Sequence, residues 1–324
     1  MDLSHYKQVT VSRGYKYNYY AVPPVDGKPT LLFVHGFPST AQDWRRQVAY
    51  FKPKGYGFII PDMLGYGGTD KPLDHEAYVG TAIAKDLYDI VEAEGIGKVI
   101  AIGHDWLVSF VLSFARKAKS DRFAGFAFLA VGYMDPRVKM SAEEGREMAK
   151  KVLGYESTGY WWFFSSPEAP DIIRKHIDSF YDIIWAKDPS VWKELFCGTG
   201  SLQSSLESNT RVPRADSMSA EEYRDSQLIF LKHGYEAPCL YYKAQTTGAG
   251  TADATAIPEE KAIINKPVLF LGAEKDAVCV PNFQKPSKDT CPNSKTKVID
   301  SGHWLMFDKE EEVNIELESW FKSL

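Results

Sequence analysis

Between Thr30 and Val131, apolar runs of strand length alternate with helical patterns without interruption. Thr30–His35, Tyr56–Pro61, Val99–Gly103 and Phe123–Val131 read as strands, and Ala41–Phe51, Glu76–Glu94 and Val108–Lys117 read as helices. Parallel strands need a crossover, and a helix laid over the sheet supplies it, so strands in such a series are apolar on both faces. The chain is therefore α/β, built on a mostly parallel sheet flanked by helices. Ahead of this series, Val9 and Val11 followed by Tyr15, Tyr17 and Tyr19 alternate as an antiparallel hairpin would, with Arg13-Gly14 near its turn.

The rhythm stops at Tyr133. From there to about Gln245 every signal is helical, and Ser141–Glu144 and Ser219–Glu222 both have the spacing of a capping box. Pro167 suits the first turn ahead of a helix over Asp171–Trp185. A loop rich in Thr, Gly and Ala follows from Thr246 to Thr255. Pro267–Gly272 and Lys297–Asp300 return to strand, and Lys309–Leu324 reads as a closing helix. This organisation predicts a core over 1–132, a helical insertion over 133–246, and the core resumed over 247–324. An insertion at the carboxyl end of a parallel sheet lies over the ligand crevice, so it is expected to act as a cap.

Composition narrows the partners. In 324 residues the net charge is −5 and no basic block stands out, which argues against nucleic acid. Four cysteines without a CxxC pair, Cys197, Cys239, Cys279 and Cys291, suit neither a zinc site nor a disulfide scaffold. The N-terminus lacks a basic stretch followed by an apolar one, and the longest apolar run, Phe123 to Met134, is too short to span a bilayer. A soluble cytoplasmic protein is expected.

The chemistry centres on Gly103-His104-Asp105-Trp106, where a buried strand meets a sharp turn and then a helix. That setting exposes a nucleophile at the sheet edge, and here the nucleophile position holds a carboxylate. An aspartate just before a helix is also a favoured N-cap, the alternative reading of Asp105 taken alone. A carboxylate that attacks an alkyl carbon becomes the acyl half of an ester, which points to epoxides or alkyl halides as substrates. Releasing that ester needs a base. Of seven histidines, His303 follows the last strand on a loop carrying Gly302 and so emerges at the carboxyl edge. Asp276, ending the preceding strand, is the preferred group to orient it, and Asp135, past the strand Phe123–Val131, is the other location for such an acid. His35-Gly36-Phe37-Pro38 follows the first parallel strand and could turn the Phe37 N–H toward the nucleophile, forming an oxyanion hole with the Trp106 N–H. The glycines of Asp62–Asp70 lack the spacing of a phosphate-binding loop and read as a structural turn.

With these residues the chain resembles, over nearly its whole length, the soluble-type epoxide hydrolases of the α/β-hydrolase fold. The most specific segments are Gly103-His104-Asp105-Trp106, Ala273-Glu274-Lys275-Asp276 followed by Val280-Pro281, and Gly302-His303-Trp304. The resemblance implies that two cap tyrosines bind the epoxide oxygen. Tyr160 and Tyr242 match those positions, with Tyr241 one residue away from the second. It further implies hydrolysis of a small apolar epoxide by water to a vicinal diol through an ester on Asp105, with no metal or organic cofactor. Phe37, Trp106, Trp161, Phe164 and Trp304 suggest an aromatic pocket. Leu107 departs from the family pattern, which expects a small residue after the tryptophan. Haloalkane dehalogenase is the nearest rival, weakened because Phe37 stands where that chemistry favours asparagine. A non-catalytic receptor on the same scaffold is the alternative of another class.

Overall fold

The structure, a computed structural model, describes residues 1–105 and 122–324. Trp106, Leu107 and the helix expected over Val108–Lys117 lie outside the described residues. Eight strands form one sheet among those described: β1 (Tyr6–Thr10), β2 (Lys16–Val22), β3 (Thr30–Val34), β4 (Gly57–Pro61), β5 (Val99–His104), β6 (Phe123–Leu129), β7 (Val268–Ala273) and β8 (Ser294–Ile299). Their order is β1-β2-β4-β3-β5-β6-β7-β8. The β1–β2 and β2–β4 pairs are antiparallel and every other pair is parallel. Every residue of β3, β4, β5 and β7 is buried, as expected of strands covered on both faces.

Chain order and sheet order diverge at β3. From β3 the chain goes to β4 on one side and then to β5 on the other, so the connections leaving β3 and β5 part at their carboxyl ends. Such a switch point opens a crevice. The register pairs Val34 with Gly103, which sets His35–Pro38 and Asp105 at the two lips of that crevice. β6, β7 and β8 continue the same edge, so Asp276 and His303 emerge on its flank.

Between β6 and β7 the described elements are helices, joined by one isolated bridge between Ala186 and Arg214. The two capping boxes form: Ser141 Oγ accepts from the Glu144 N–H and Ser219 Oγ from the Glu222 N–H, both at 3.2 Å. Each glutamate reaches back to its serine N–H, at 2.8 and 2.7 Å. A cap of this kind contributes about 1 kcal/mol to its helix. Glu222 also pairs with Arg45 of the core, fastening this helix to the sheet domain.

Two expectations need correction. The single helix expected over Asp171–Trp185 is two, Ala169–Lys175 and Ile177–Ile184, because His176 leaves helical geometry between them. Pro170, not Pro167, occupies the first turn. The stretch expected as a loop contains a helix, Ala249–Thr255, started after Gly248 at φ 84°. Its Asp253 accepts a hydrogen bond of 2.9 Å from the Thr81 N–H, a tertiary contact that outweighs the weak helix propensity of Gly and Thr. No helix among the described residues is long and apolar enough to cross a membrane.

Candidate active site

Asp105 follows β5 with φ 74°, a left-handed conformation that costs a non-glycine residue about 1–2 kcal/mol. The turn lifts its carboxylate out of line with the strand and over the crevice. There the Phe37 N–H donates to Oδ2 at 2.9 Å. Gly36 makes this approach possible: a Cβ at that position would lie 2.3 Å from the Asp105 Cβ. Both ring nitrogens of His35 are tied to backbone, one in its own loop and one in the loop after β4. Nε2 accepts from the Met63 N–H at 3.0 Å and Nδ1 donates to the Gly36 carbonyl at 2.9 Å. His35 therefore holds backbone and is not positioned as a base.

Across the crevice, His303 Nδ1 bonds Asp276 Oδ2 at 2.7 Å, and its Nε2 lies 3.9 Å from Asp105 Oδ1. The other oxygen of Asp276 accepts from the Val278 and Cys279 N–H groups, at 2.9 and 3.2 Å. With its lone pairs so occupied, Asp276 fixes the imidazole ring and makes Nε2 the nitrogen that faces Asp105. Asp135 is instead chelated by Arg137, whose Nη2 lies 2.7 Å from Oδ2. The Asp135 carbonyl accepts from the Val138 N–H at 3.1 Å, so it opens a turn, and Asp276 is the carboxylate that bonds the imidazole. Burial pushes the His303 imidazole down, but the charge and hydrogen bond of Asp276, joined by the charge of Asp105, outweigh burial and raise it above its ordinary value.

His104 is the neighbour that spacing alone did not single out. Its Nε2 donates to the His303 carbonyl at 2.8 Å, and its ring lies 4.7 Å from the His303 ring. Burial, and then the charge of His303, hold it well below its ordinary pKa, so it stays neutral and braces the loop that carries His303. Its place at the end of β5, beside Asp105, was the available signal.

Above the crevice, the helices Tyr160–Phe164 and Glu236–Thr246 present aromatic side chains to Phe37. Its ring centroid lies 4.7 Å from that of Phe164 and 5.2 Å from that of Tyr242. Tyr160 and Tyr242 are 5.9 Å apart, and Trp161 borders Tyr242 at 6.4 Å. Tyr241, about 100° further around its helix, faces Tyr78 at 4.8 Å and Tyr66 at 6.0 Å, away from this cluster. Burial, followed by the charge of Asp105, pushes the Tyr160 phenol well above its ordinary pKa, so it remains a proton donor. The structure does not bring Trp304 into this group. Trp304 stacks on Trp185 at 3.9 Å and donates its indole N–H to the Ile184 carbonyl at 2.9 Å, on the far side of His303. Trp106, the other expected oxyanion donor, lies outside the described residues.

Residues 29–310 match the family described as the alpha/beta hydrolase fold. The chain is 24% identical over 325 residues to bifunctional epoxide hydrolase 2 of Rattus norvegicus, covering 99% of this chain and 56% of that protein. It thus spans little more than half the length of that relative. An epoxide hydrolase of Caballeronia sordidicola is 24% identical over 306 residues, covering 91% of this chain and 88% of its own. The crystal structure of Epoxide Hydrolase A from Mycobacterium thermoresistibile superposes with a TM-score of 0.79 and 25% identity, covering 96% of each chain. An epoxide hydrolase from Vigna radiata, 20% identical over 98% of each chain, shares the fold with a TM-score of 0.81.

Proposed function

The chain belongs to the alpha/beta hydrolase fold family, and we propose that within it this protein is an epoxide hydrolase that opens small apolar epoxides to vicinal diols. The observation that carries the reading is the state of Asp105. One carboxylate oxygen is held by the Phe37 amide, and the other stands 3.9 Å from a histidine oriented by a second aspartate. In this reading Oδ1 attacks an epoxide carbon. The C–O bond breaks toward the ring oxygen, and Tyr160 and Tyr242 donate hydrogen bonds to the developing alkoxide before it takes a proton. The helical insertion acts as a cap that supplies these phenols. Asp105 becomes the ester, its Oδ2 the carbonyl. His303 then takes a proton from water as that water adds to the ester carbon. The oxyanion forms on Oδ2, already held by the Phe37 N–H, with the Trp106 N–H as the proposed second donor. Collapse breaks the bond from the Asp105 carboxyl carbon to Oδ1, the departing diol oxygen takes the proton held by His303, and the new carboxylic acid on Asp105 ionises again. Phe37, Trp161 and Phe164 line the apolar side of the pocket, and the sequence requires no cofactor for any step.

The charge on Asp105 couples the two half-reactions. While it is ionised it helps keep His303 protonated. Esterification removes that negative charge, so the His303 pKa falls and the free base appears at the stage that needs it. Ester hydrolysis should therefore rise with pH through a midpoint below that of His303 in the resting enzyme. Single-turnover rates across pH, set beside an NMR titration of His303, check the order of the two midpoints.

Replacing one cap phenol, Tyr160→Phe or Tyr242→Phe, should lower the alkylation rate by about 10–100-fold and leave ester hydrolysis nearly unchanged, because the ester stage no longer carries the alkoxide. Equal slowing of both steps would remove the phenols from this role. The reaction class is tested by incubating the protein with a styrene-type epoxide and with a bromoalkane, following diol and halide separately. Diol release is expected. Halide without diol would replace this reading with a dehalogenase, and neither product would favour a receptor.

A further inference from the structure

A cavity of about 220 Å³ lies at the seam between cap and core beside His303. Asp276, Ala277 and His303 line it from the core, and Ala186, Pro189 and Trp192 from the cap. Trp192 lies beside the imidazole, with ring centroids 5.4 Å apart, whereas Asp105, Phe37, Tyr160 and Tyr242 are not part of the lining. Its rim is charged: Lys275 pairs with Asp300, and both are more than half exposed.

The cap meets the core along this edge through Trp304, whose indole donates to the Ile184 carbonyl at 2.9 Å and stacks on Trp185 at 3.9 Å. Within the cap, the Trp192 indole donates to the Ile183 carbonyl at 2.7 Å, and the Ala215 and Lys187 amides bond to Trp185 and Pro213 at 2.7 and 2.8 Å. Pro189 of the cap sits so close to Gly302 that a Cβ there would lie 3.1 Å from the Pro189 Cβ. These contacts hold the cap segments that wall the cavity together and against the core beside His303.

The front of the site poses a problem that this cavity answers. Asp105, Phe37 and Tyr160 are each 4% exposed and Tyr242 only 2%, and their surroundings are aromatic. During the ester stage the alkyl group remains bonded to Asp105 and fills that apolar space. Water must nevertheless reach His303 once in every turnover. A polar-rimmed passage that touches His303 and avoids the substrate pocket is suited to it.

We infer that the water for ester hydrolysis reaches His303 through this cavity, passing between Trp192 of the cap and the 275–277 and 301–303 segments of the core. The inference rests on the epoxide hydrolase reading. Ala186 is partly exposed, lines the cavity, and has no part in the catalytic machinery. In Ala186→Phe, rapid-quench kinetics with mass detection of the enzyme-bound ester should show alkylation within about twofold of wild type and ester hydrolysis slowed at least about fivefold. Should that variant not fold, Ala186→Cys can be labelled after folding, since the four native cysteines are all buried. A benzyl thiosulfonate label should slow ester hydrolysis and a methyl label should not. Ester hydrolysis unchanged by the ring or the benzyl label, or alkylation slowed in parallel with it, would overturn the inference. Failure of wild type to form any ester would instead defeat the epoxide hydrolase reading.

Discussion

Asp105→Ala is expected to abolish covalent capture of substrate and to lower turnover by at least about 10⁴-fold. No neighbouring group can take over the attack. Asp276 is committed to His303 and to two backbone amides, and its side chain is fully buried behind the imidazole. The substitution keeps a β-carbon on a residue at positive φ, so the strain of the turn persists and the folded state changes little. Among what is lost is the hydrogen bond from the Phe37 N–H, worth about 1–2 kcal/mol. A melting temperature close to that of wild type, with no adduct in the intact-mass spectrum and no diol, is the expected combination. Alanine is more informative than asparagine, because an amide beside His303 could hydrolyse back to the acid.

His303→Gln separates the two halves of the cycle. Attack by an ionised carboxylate needs no base, whereas adding water to an ester does. The variant should therefore still alkylate and then stall, with overall turnover lowered about 10³–10⁴-fold. One addition of substrate should shift the protein mass by the whole mass of the epoxide, since ring opening loses no atoms, and digestion should place the adduct on the peptide carrying Asp105. Glutamine retains a donor on the Asp276 side, so the buried carboxylate keeps a partner and the fold is spared the cost of an unpaired charge. An unmodified mass after prolonged incubation, with the protein folded, would count against a nucleophilic Asp105.

The fold was readable because buried parallel strands must be apolar on both faces. Leu31–Val34, Phe58–Ile60 and Val99–Ile102 announce themselves by composition alone. The edge of the sheet is less legible. β8 starts at Ser294, but none of Ser294-Lys295-Thr296-Lys297 is buried, and only its last residues carry a strand signal. Helices in the insertion depend on neighbours. The break at His176 has no signal in the local pattern, and the helix over Ala249–Thr255 is held by the contact of Asp253 with Thr81. The motifs reveal which residues stand at strand ends, and the resemblance drawn from them agrees with the family match over residues 29–310. They do not reveal direction. One residue of helical phase decides whether Tyr241 or Tyr242 faces Phe37, and the loop after β8 turns Trp304 toward Trp185. The positive φ of Asp105 and the closeness of Gly36 likewise depend on the packing of two loops from different strands.

In the proposed mechanism Asp105 bonds to substrate carbon and is regenerated by attack of water on its own carboxyl carbon. A single turnover in water enriched in the heavy oxygen isotope, with enzyme in excess over epoxide, follows that oxygen. The heavy isotope is expected in the Asp105 carboxylate and ordinary oxygen in the diol, because the diol leaves with an oxygen taken from the enzyme. Heavy oxygen in the first-turnover diol, with none in Asp105, would mean that water attacks the epoxide directly and would rule out the covalent route.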